Sequence, residues 1–186
     1  MKPTIDVRSR RVLIGGVPKE ALLSRLQRAG ILLNDAARAL FADTRFTTSS
    51  TSSLVEAVEV SVGTLGLPDG ATYATVVERA ATHGLLLCPL ELGPHLRLQF
   101  TDQPEGFLGQ PVTQHCAPPG SVTLASAPLT EDDETPKGFY LRRIDGDLWL
   151  RGYRSWPGHH WSPQDVFVFV RADNSAEACS PEGGSL

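Results

Sequence analysis

Residues 139 to 154 read FYLRRIDGDLWLRGYR, two alternating runs on either side of Asp145-Gly146. A two-residue Asp-Gly loop takes a type I′ turn, whose two central positions both need positive φ. That fixes a β-hairpin and its register: Ile144 faces Asp147, Arg143 Leu148, Arg142 Trp149, Leu141 Leu150 and Tyr140 Arg151. Side chains then sort onto two faces. Phe139, Leu141, Leu148 and Leu150 form an apolar face that seals a core, while Tyr140, Arg142, Trp149, Arg151 and Tyr153 project from the other side. Arginine lies across from an aromatic ring twice on that side, a cation–π arrangement worth about 0.5–1 kcal/mol when exposed.

The rest of the 186-residue chain must supply what covers the apolar face. Pro18 opens a helix that Gly30 closes, with Leu22, Leu23, Leu26 and Ala29 as its apolar stripe. Asn34 caps a second helix over residues 35 to 42, and the short connection predicts that the two pack as a hairpin. Ser53 and Glu56 resemble a capping box, and Val55, Val58, Val62 and Leu65 fit the face of a third helix, although Val58, Val60 and Val62 also fit a strand. Thr72 caps a further helix that runs to His83 and stops at Gly84. Beyond Gly84, Pro and Gly punctuate short runs with the period of strands: LRLQF, residues 122 to 125, the hairpin, and residues 166 to 170. Residues 102 to 120 and 155 to 165 are long connections, and residues 172 to 186 lack apolar periodicity, which predicts a mobile tail.

Charge is unevenly spread. Residues 1 to 30 carry seven Lys/Arg against two Asp/Glu, residues 31 to 134 four against thirteen, and the remainder six against six. The total of −4 and pI near 5.7 disfavour general nucleic-acid coating but leave room for a local basic patch on the hairpin. No apolar run approaches the roughly 18 residues that span a bilayer, and no secretory signal is visible at the N-terminus, so a cytoplasmic location with no membrane partner is expected. Cys88, Cys116 and Cys179, odd in number and widely spaced, fit a reducing compartment.

Two constellations are candidate sites. Read as a strand, LRLQF and its approach put His95, Arg97 and Gln99 on one face with Glu91 a turn away, a polar pocket in which arginine holds an anion and histidine moves protons. That would suit a small hydrolase or transferase. The second is the Tyr140, Arg142, Trp149, Arg151 face with the loop RSWPGHHWSPQD, whose two tryptophans suit contact with a small anionic or aromatic ligand or a protein partner. Elsewhere the signals are weak. Gly15-Gly16 lacks the lysine and third glycine of a phosphate-cradling loop, Glu131 to Glu134 lacks the spacing of a calcium loop, His159-His160 lacks further ligands for zinc, and His115-Cys116 is adjacent in sequence only. No cofactor is expected.

The stretch SVGTLGLPDGATYATVVERAATHGLLLCPLELGPHLRLQFTDQPEG, residues 61 to 106, resembles a family of uncharacterised bacterial cytoplasmic proteins with an LCP-E-GP-LRLQ-DQP block, and FYLRR and LWLRGY resemble it too. The resemblance spans roughly residues 10 to 171 and implies one domain of that extent without an established activity. The expected architecture is α+β over residues 1 to 171, helical from 10 to 85 and β-rich from 86 to 171, with N-terminal helices packed on a C-terminal antiparallel, strongly twisted or partly closed β-sheet. The expected role is non-enzymatic ligand binding or protein interaction through the arginine–aromatic face.

Overall fold

The computed structural model describes residues 7–106 and 117–171. In chain order its elements are β1 (Arg8–Ile14), α1 (Lys19–Arg28), β2 (Leu32–Leu33), α2 (Asp35–Ala42), β3 (Ser53–Ser61), β4 (Ala71–Thr72), α3 (Tyr73–Thr82), β5 (Leu85–Leu86), α4 (Leu92–Gln99), β6 (Val122–Leu124), β7 (Gly138–Ile144), β8 (Asp147–Tyr153), β9 (His160–Trp161) and β10 (Val166–Arg171).

The hairpin forms in the expected register. β7 and β8 pair antiparallel with all five named partners opposite one another, and Asp145 and Gly146 turn at φ of 53° and 84°. Phe139, Leu141 and Leu150 are fully buried, with Leu148 packed at the edge of the same core. The helices expected at α1, α2 and α3 form as well, with Pro18 one residue ahead of α1 and with Thr72 at the N-cap position of α3 but without a side-chain cap, its hydroxyl meeting that of Thr75 at 3.1 Å instead. Asn34 shows why such a cap is strong here: its Oδ1 accepts the Ala37 N–H at 3.0 Å while the same side chain exchanges hydrogen bonds with the Gly152 backbone at 2.8 and 3.0 Å. One side chain thus starts α2 and seats it on β8. The seat requires Gly152, because a Cβ there would lie 2.6 Å from the Ala36 carbonyl carbon. The connection between α1 and α2 is itself part of the sheet, since β2 pairs parallel with β8, so the two helices are placed by the sheet rather than by a helical hairpin.

The large sheet runs β1-β3-β10-β6-β7-β8-β2, with β5 alongside the far end of β10, and it curls into a half-barrel. The α+β class stands, with the sheet dominant. Its finer description is corrected on three points. The sheet is mixed, because β10 pairs parallel with β6 and β2 with β8. It draws β1 and β3 from the N-terminal half, so the division into helical 10 to 85 and β-rich 86 to 171 fails. And residues 53 to 61 are strand, while LRLQ belongs to α4.

Both reassignments have one cause. β3 is buried on both faces: Ala57 joins the core beneath α1, α2 and α4, while Val58 and Val60 join a second core with α3, Trp161, Phe167 and Phe169. A strand buried on both sides loses its period of two, and periodicity cannot tell it from a buried helix. In α4, Leu92 through Arg97 are all buried, so no polar stripe marks a period of 3.6. Gly93 lets Phe139 close in, with a Cβ there only 2.9 Å from the ring. Among the described residues no helix is long and apolar enough to cross a membrane. The tail from 172 onward, with Cys179, and the His115-Cys116 pair lie outside the described residues.

Candidate functional site

On the polar face of the hairpin, Arg151 is the organising charge. Its guanidinium lies 4.9 Å from the Trp149 ring centroid and 6.0 Å from that of Tyr140, so one arginine serves both rings. Arg142 is buried, its Nε 3.4 Å from where a Cβ on Gly106 would sit. The five residues do share a face, but toward the turn end that face is occupied by its own stacking. Tyr153, at the open end, leans the other way and meets Trp161 at 5.9 Å with ring planes at 90°.

The second constellation is redistributed. A helix advances each residue by about 100°, not 180°, so Glu91, His95 and Gln99 fall on one side of α4 and Arg97 on another. The three are stitches to backbone. Both Glu91 oxygens accept the Ser49 N–H at 3.1 and 3.2 Å, and His95 Nε2 accepts the Gly15 N–H at 3.1 Å. Gln99 takes the Leu13 N–H at 3.1 Å and donates to the Leu13 carbonyl at 2.9 Å. Gln99 therefore acts on the outer strand β1 as a neighbouring strand would. Glu91 and His95 approach to 3.9 Å. Burial raises the Glu91 pKa, opposed by the Ser49 hydrogen bond. Burial lowers that of His95, and the charge of Arg25 adds to the effect. Since Nε2 accepts a backbone proton, the neutral ring carries its own proton on Nδ1.

Arg97 is fully buried. It donates to Gln103 Oε1 at 2.5 Å and to the Phe100 carbonyl, while Gln103 donates onward to the Gly120 and Leu141 carbonyls, each at 3.1 Å. Desolvation, with the charges of Arg10 and Arg143, lowers its pKa to about 10. The expected pocket of Glu91, His95, Arg97 and Gln99 is thus not assembled, and none of the four lines a cavity described below.

An aromatic-walled concavity lies where the loop after β8 returns. β9 pairs with β4, setting Trp161 opposite Ala71 and His160 opposite Thr72. Gly70, at φ 80°, makes this possible, for a Cβ would lie 2.2 Å from the Trp161 carbonyl oxygen. The pairing carries Tyr73, the first residue of α3, to the tryptophan loop. Rings then follow edge to face: Trp156 to His159 at 5.0 Å, His159 to Trp161 at 4.8 Å and Trp161 to Phe167 at 4.8 Å. Two adjoining cavities, about 260 and 220 Å³, share Tyr153, Ser155, Trp156 and Trp161 as walls. The first adds Tyr73, Ser126, Pro128, Glu131 and Lys137, and the second Tyr140, Thr123 and Pro118. No family model, curated protein or solved structure matches this chain.

The chemistry of the cleft is set by a few atoms. The phenols of Tyr73 and Tyr153 are held protonated by burial, which pushes both pKa values far up, and Tyr73 Oη donates to the Ser126 carbonyl at 2.8 Å. Ser126 is 1% exposed and Trp161 4%, yet the Ser126 hydroxyl and the Trp161 indole N–H have no hydrogen-bond partner among the described residues. Leaving such groups unpaired costs about 1–3 kcal/mol each. Lys137 is already engaged: its ammonium donates to the carbonyls of Thr130, Glu131 and Asp132 at 3.0 to 3.3 Å and lies 3.4 Å from the Asp133 carboxylate. A third and larger cavity of about 570 Å³ lies between Phe100, Gln103 and Asp165, and it shares Ala117 and Pro118 with the second.

The sequence points to Tyr140, Tyr153 and the Trp156 to Trp161 loop as one surface, and these do meet. Tyr73, Ser126 and Lys137 carry no such signal. The pairing of β4 with β9 brings in Tyr73, whereas Ser126, bridged to Cys88, and Lys137, whose N–H donates to the Tyr153 carbonyl at 2.8 Å, are placed by the large sheet.

Proposed function

We propose that this protein is a non-enzymatic binding domain whose contact surface is the double cleft around Tyr153, Trp156 and Trp161, at the open end of the arginine–aromatic face. The observation that carries this reading is the pair of unpartnered polar groups, Ser126 Oγ and Trp161 Nε1, buried beneath aromatic walls. A concave, mostly apolar site with a few convergent polar groups is the usual form of a ligand site. A body that offers apolar surface together with a hydrogen-bond acceptor suits these groups, and Lys137, the lysine in the wall, is already held by three carbonyls and Asp133. An enzymatic role receives no such support, since Glu91 and His95 spend their acceptors on backbone N–H groups. A cytoplasmic setting belongs to the same reading and is consistent with Cys88 as a buried free thiol.

A ligand-observed NMR screen of small planar fragments bearing a carbonyl tests it. Fragments that bind the wild-type protein should lose their signal with Trp156→Ala, a change at a residue 48% exposed that leaves both cores untouched. Binding that is absent throughout, or identical in the two proteins, refutes the cleft as the site.

A further inference from the structure

Resting on that reading, we infer that the occupant of the double cleft is a proline-rich, basic segment of a partner protein, docked as a polyproline II helix. Three features of the cleft select it. First, the two cavities lie side by side and share a partition of Tyr153 and Trp161. A polyproline II helix, with three residues per turn and about 3.1 Å per residue, presents successive proline units to neighbouring aromatic slots.

Second, what the floor lacks is an acceptor. The indole N–H of Trp161 can only donate, and the Ser126 hydroxyl can donate as well. Polyproline backbone is the complementary case: proline has no N–H, and its carbonyls take no internal hydrogen bond. A segment in ordinary extended or helical form would bring N–H groups for which the apolar walls of Tyr73, Tyr153 and Trp156 offer nothing, and their burial would cost free energy.

Third, the rim of the first cavity is negative, while Arg154 lines the second and donates through Nε to the Glu134 carbonyl at 2.6 Å. Glu131 lines the cleft and has no ion pair among the described residues, whereas Lys137 is held by three carbonyls and Asp133. Glu131 opens the run Glu131-Asp132-Asp133-Glu134, so an arginine or lysine flanking the prolines meets complementary charge.

The test is fluorescence anisotropy of a fluorescein-labelled peptide, Arg-Ala-Pro-Pro-Leu-Pro-Pro, amidated at its C-terminus, titrated with the full chain. Saturable binding is expected, at least about tenfold weaker for Trp156→Ala. Glu131→Gln should weaken it about threefold and flatten its salt dependence. Replacing the prolines by alanine should abolish it, and replacing the arginine by glutamate should weaken it as Glu131→Gln does. Circular dichroism and a thermal melt establish that both variants are folded. Equal binding of the alanine peptide, or indifference to Trp156→Ala, overturns the inference. So does self-association of the unliganded protein that Trp156→Ala abolishes, which would give the groove to a second copy. If the peptide fails while planar fragments still bind in a Trp156-dependent manner, the cleft stands as a binding site and only its peptide occupant falls. If both fail, the binding role falls with them.

Discussion

Ser126→Ala should make the free protein more stable, and that sign is the sharpest test of the cleft floor. The residue is 1% exposed, and its hydroxyl has no partner among the described residues. Its backbone is secured by other means: the carbonyl accepts the Tyr73 phenol at 2.8 Å, and the residue bridges to Cys88, whose N–H is held by the Ala125 carbonyl at 2.7 Å. The substitution therefore removes one oxygen and keeps the Cβ and the backbone bonds. Relieving an unpaired buried hydroxyl returns about 1–3 kcal/mol, against a few tenths lost in dispersion from one vacated atom position. The net is about 1 kcal/mol of added stability. For a domain of this size that is about 2–4 °C in Tm. Urea unfolding followed by tryptophan fluorescence should show a higher midpoint with an unchanged slope, while binding in the cleft weakens. An unfolding free energy that falls by more than about 0.5 kcal/mol would mean that the hydroxyl is satisfied in the folded protein, and the floor would lose its claim to want an acceptor.

Other consequences are separable from the cleft. The His95 pKa is lower in the folded protein than its ordinary 6.5, so as pH falls below about 6.5 the unfolded chain takes up a proton that the folded one resists. Stability contributed by the neutral ring is present above that pH and lost below it, and His95→Gln should flatten the difference between urea midpoints at pH 7.5 and 5.5; an unchanged difference would count against the buried neutral ring. Gln99→Ala removes both hydrogen bonds to Leu13, and should cost about 1 kcal/mol, speed exchange of the Leu13 amide and promote aggregation through the exposed Leu13 and Leu54 pair. Arg151→Ala should cost about 1 kcal/mol through lost stacking on Trp149 and Tyr140 and leave affinity in the cleft within about twofold; a loss as large as that of Trp156→Ala would return the binding surface to the middle of the hairpin.

What was legible in the sequence was whatever a few neighbouring residues decide. Asp145-Gly146 set the hairpin register because the turn type follows from two φ angles, and Asn34, Gly30 and Gly84 bounded helices because caps are local. β3 and α4 are not legible in the sequence because their character depends on what covers them. Val55 to Val62 acquires a second apolar face only when Phe167 and Phe169 arrive from more than a hundred residues away. LRLQ alternates by accident of composition, and Arg97 is buried inside a helix because Gln103 and the Phe100 carbonyl meet it there. The candidate pocket rested on that one segment, and so it dispersed with it. The tryptophan loop survived as a candidate because two large rings in a Pro- and Gly-bearing stretch signal contact whatever the fold.

The same sheet face thus holds two different uses of aromatic residues, and position along β8 separates them. Nearer the turn, Trp149 is stacked by Arg151, so its polarisable face is consumed within the hairpin, while Tyr140, 6.0 Å from the same guanidinium, also borders the second cavity. Two residues beyond Arg151, Tyr153 has no cation over its ring among the described residues. It meets Trp161 edge to face, and both rings border open space on two sides. A stack of rings on guanidinium stabilises a strand pair and needs nothing more. Rings set edge to face stabilise one another, whereas the unpaired donors among them cost free energy in the isolated chain, a cost that the proposed ligand would relieve.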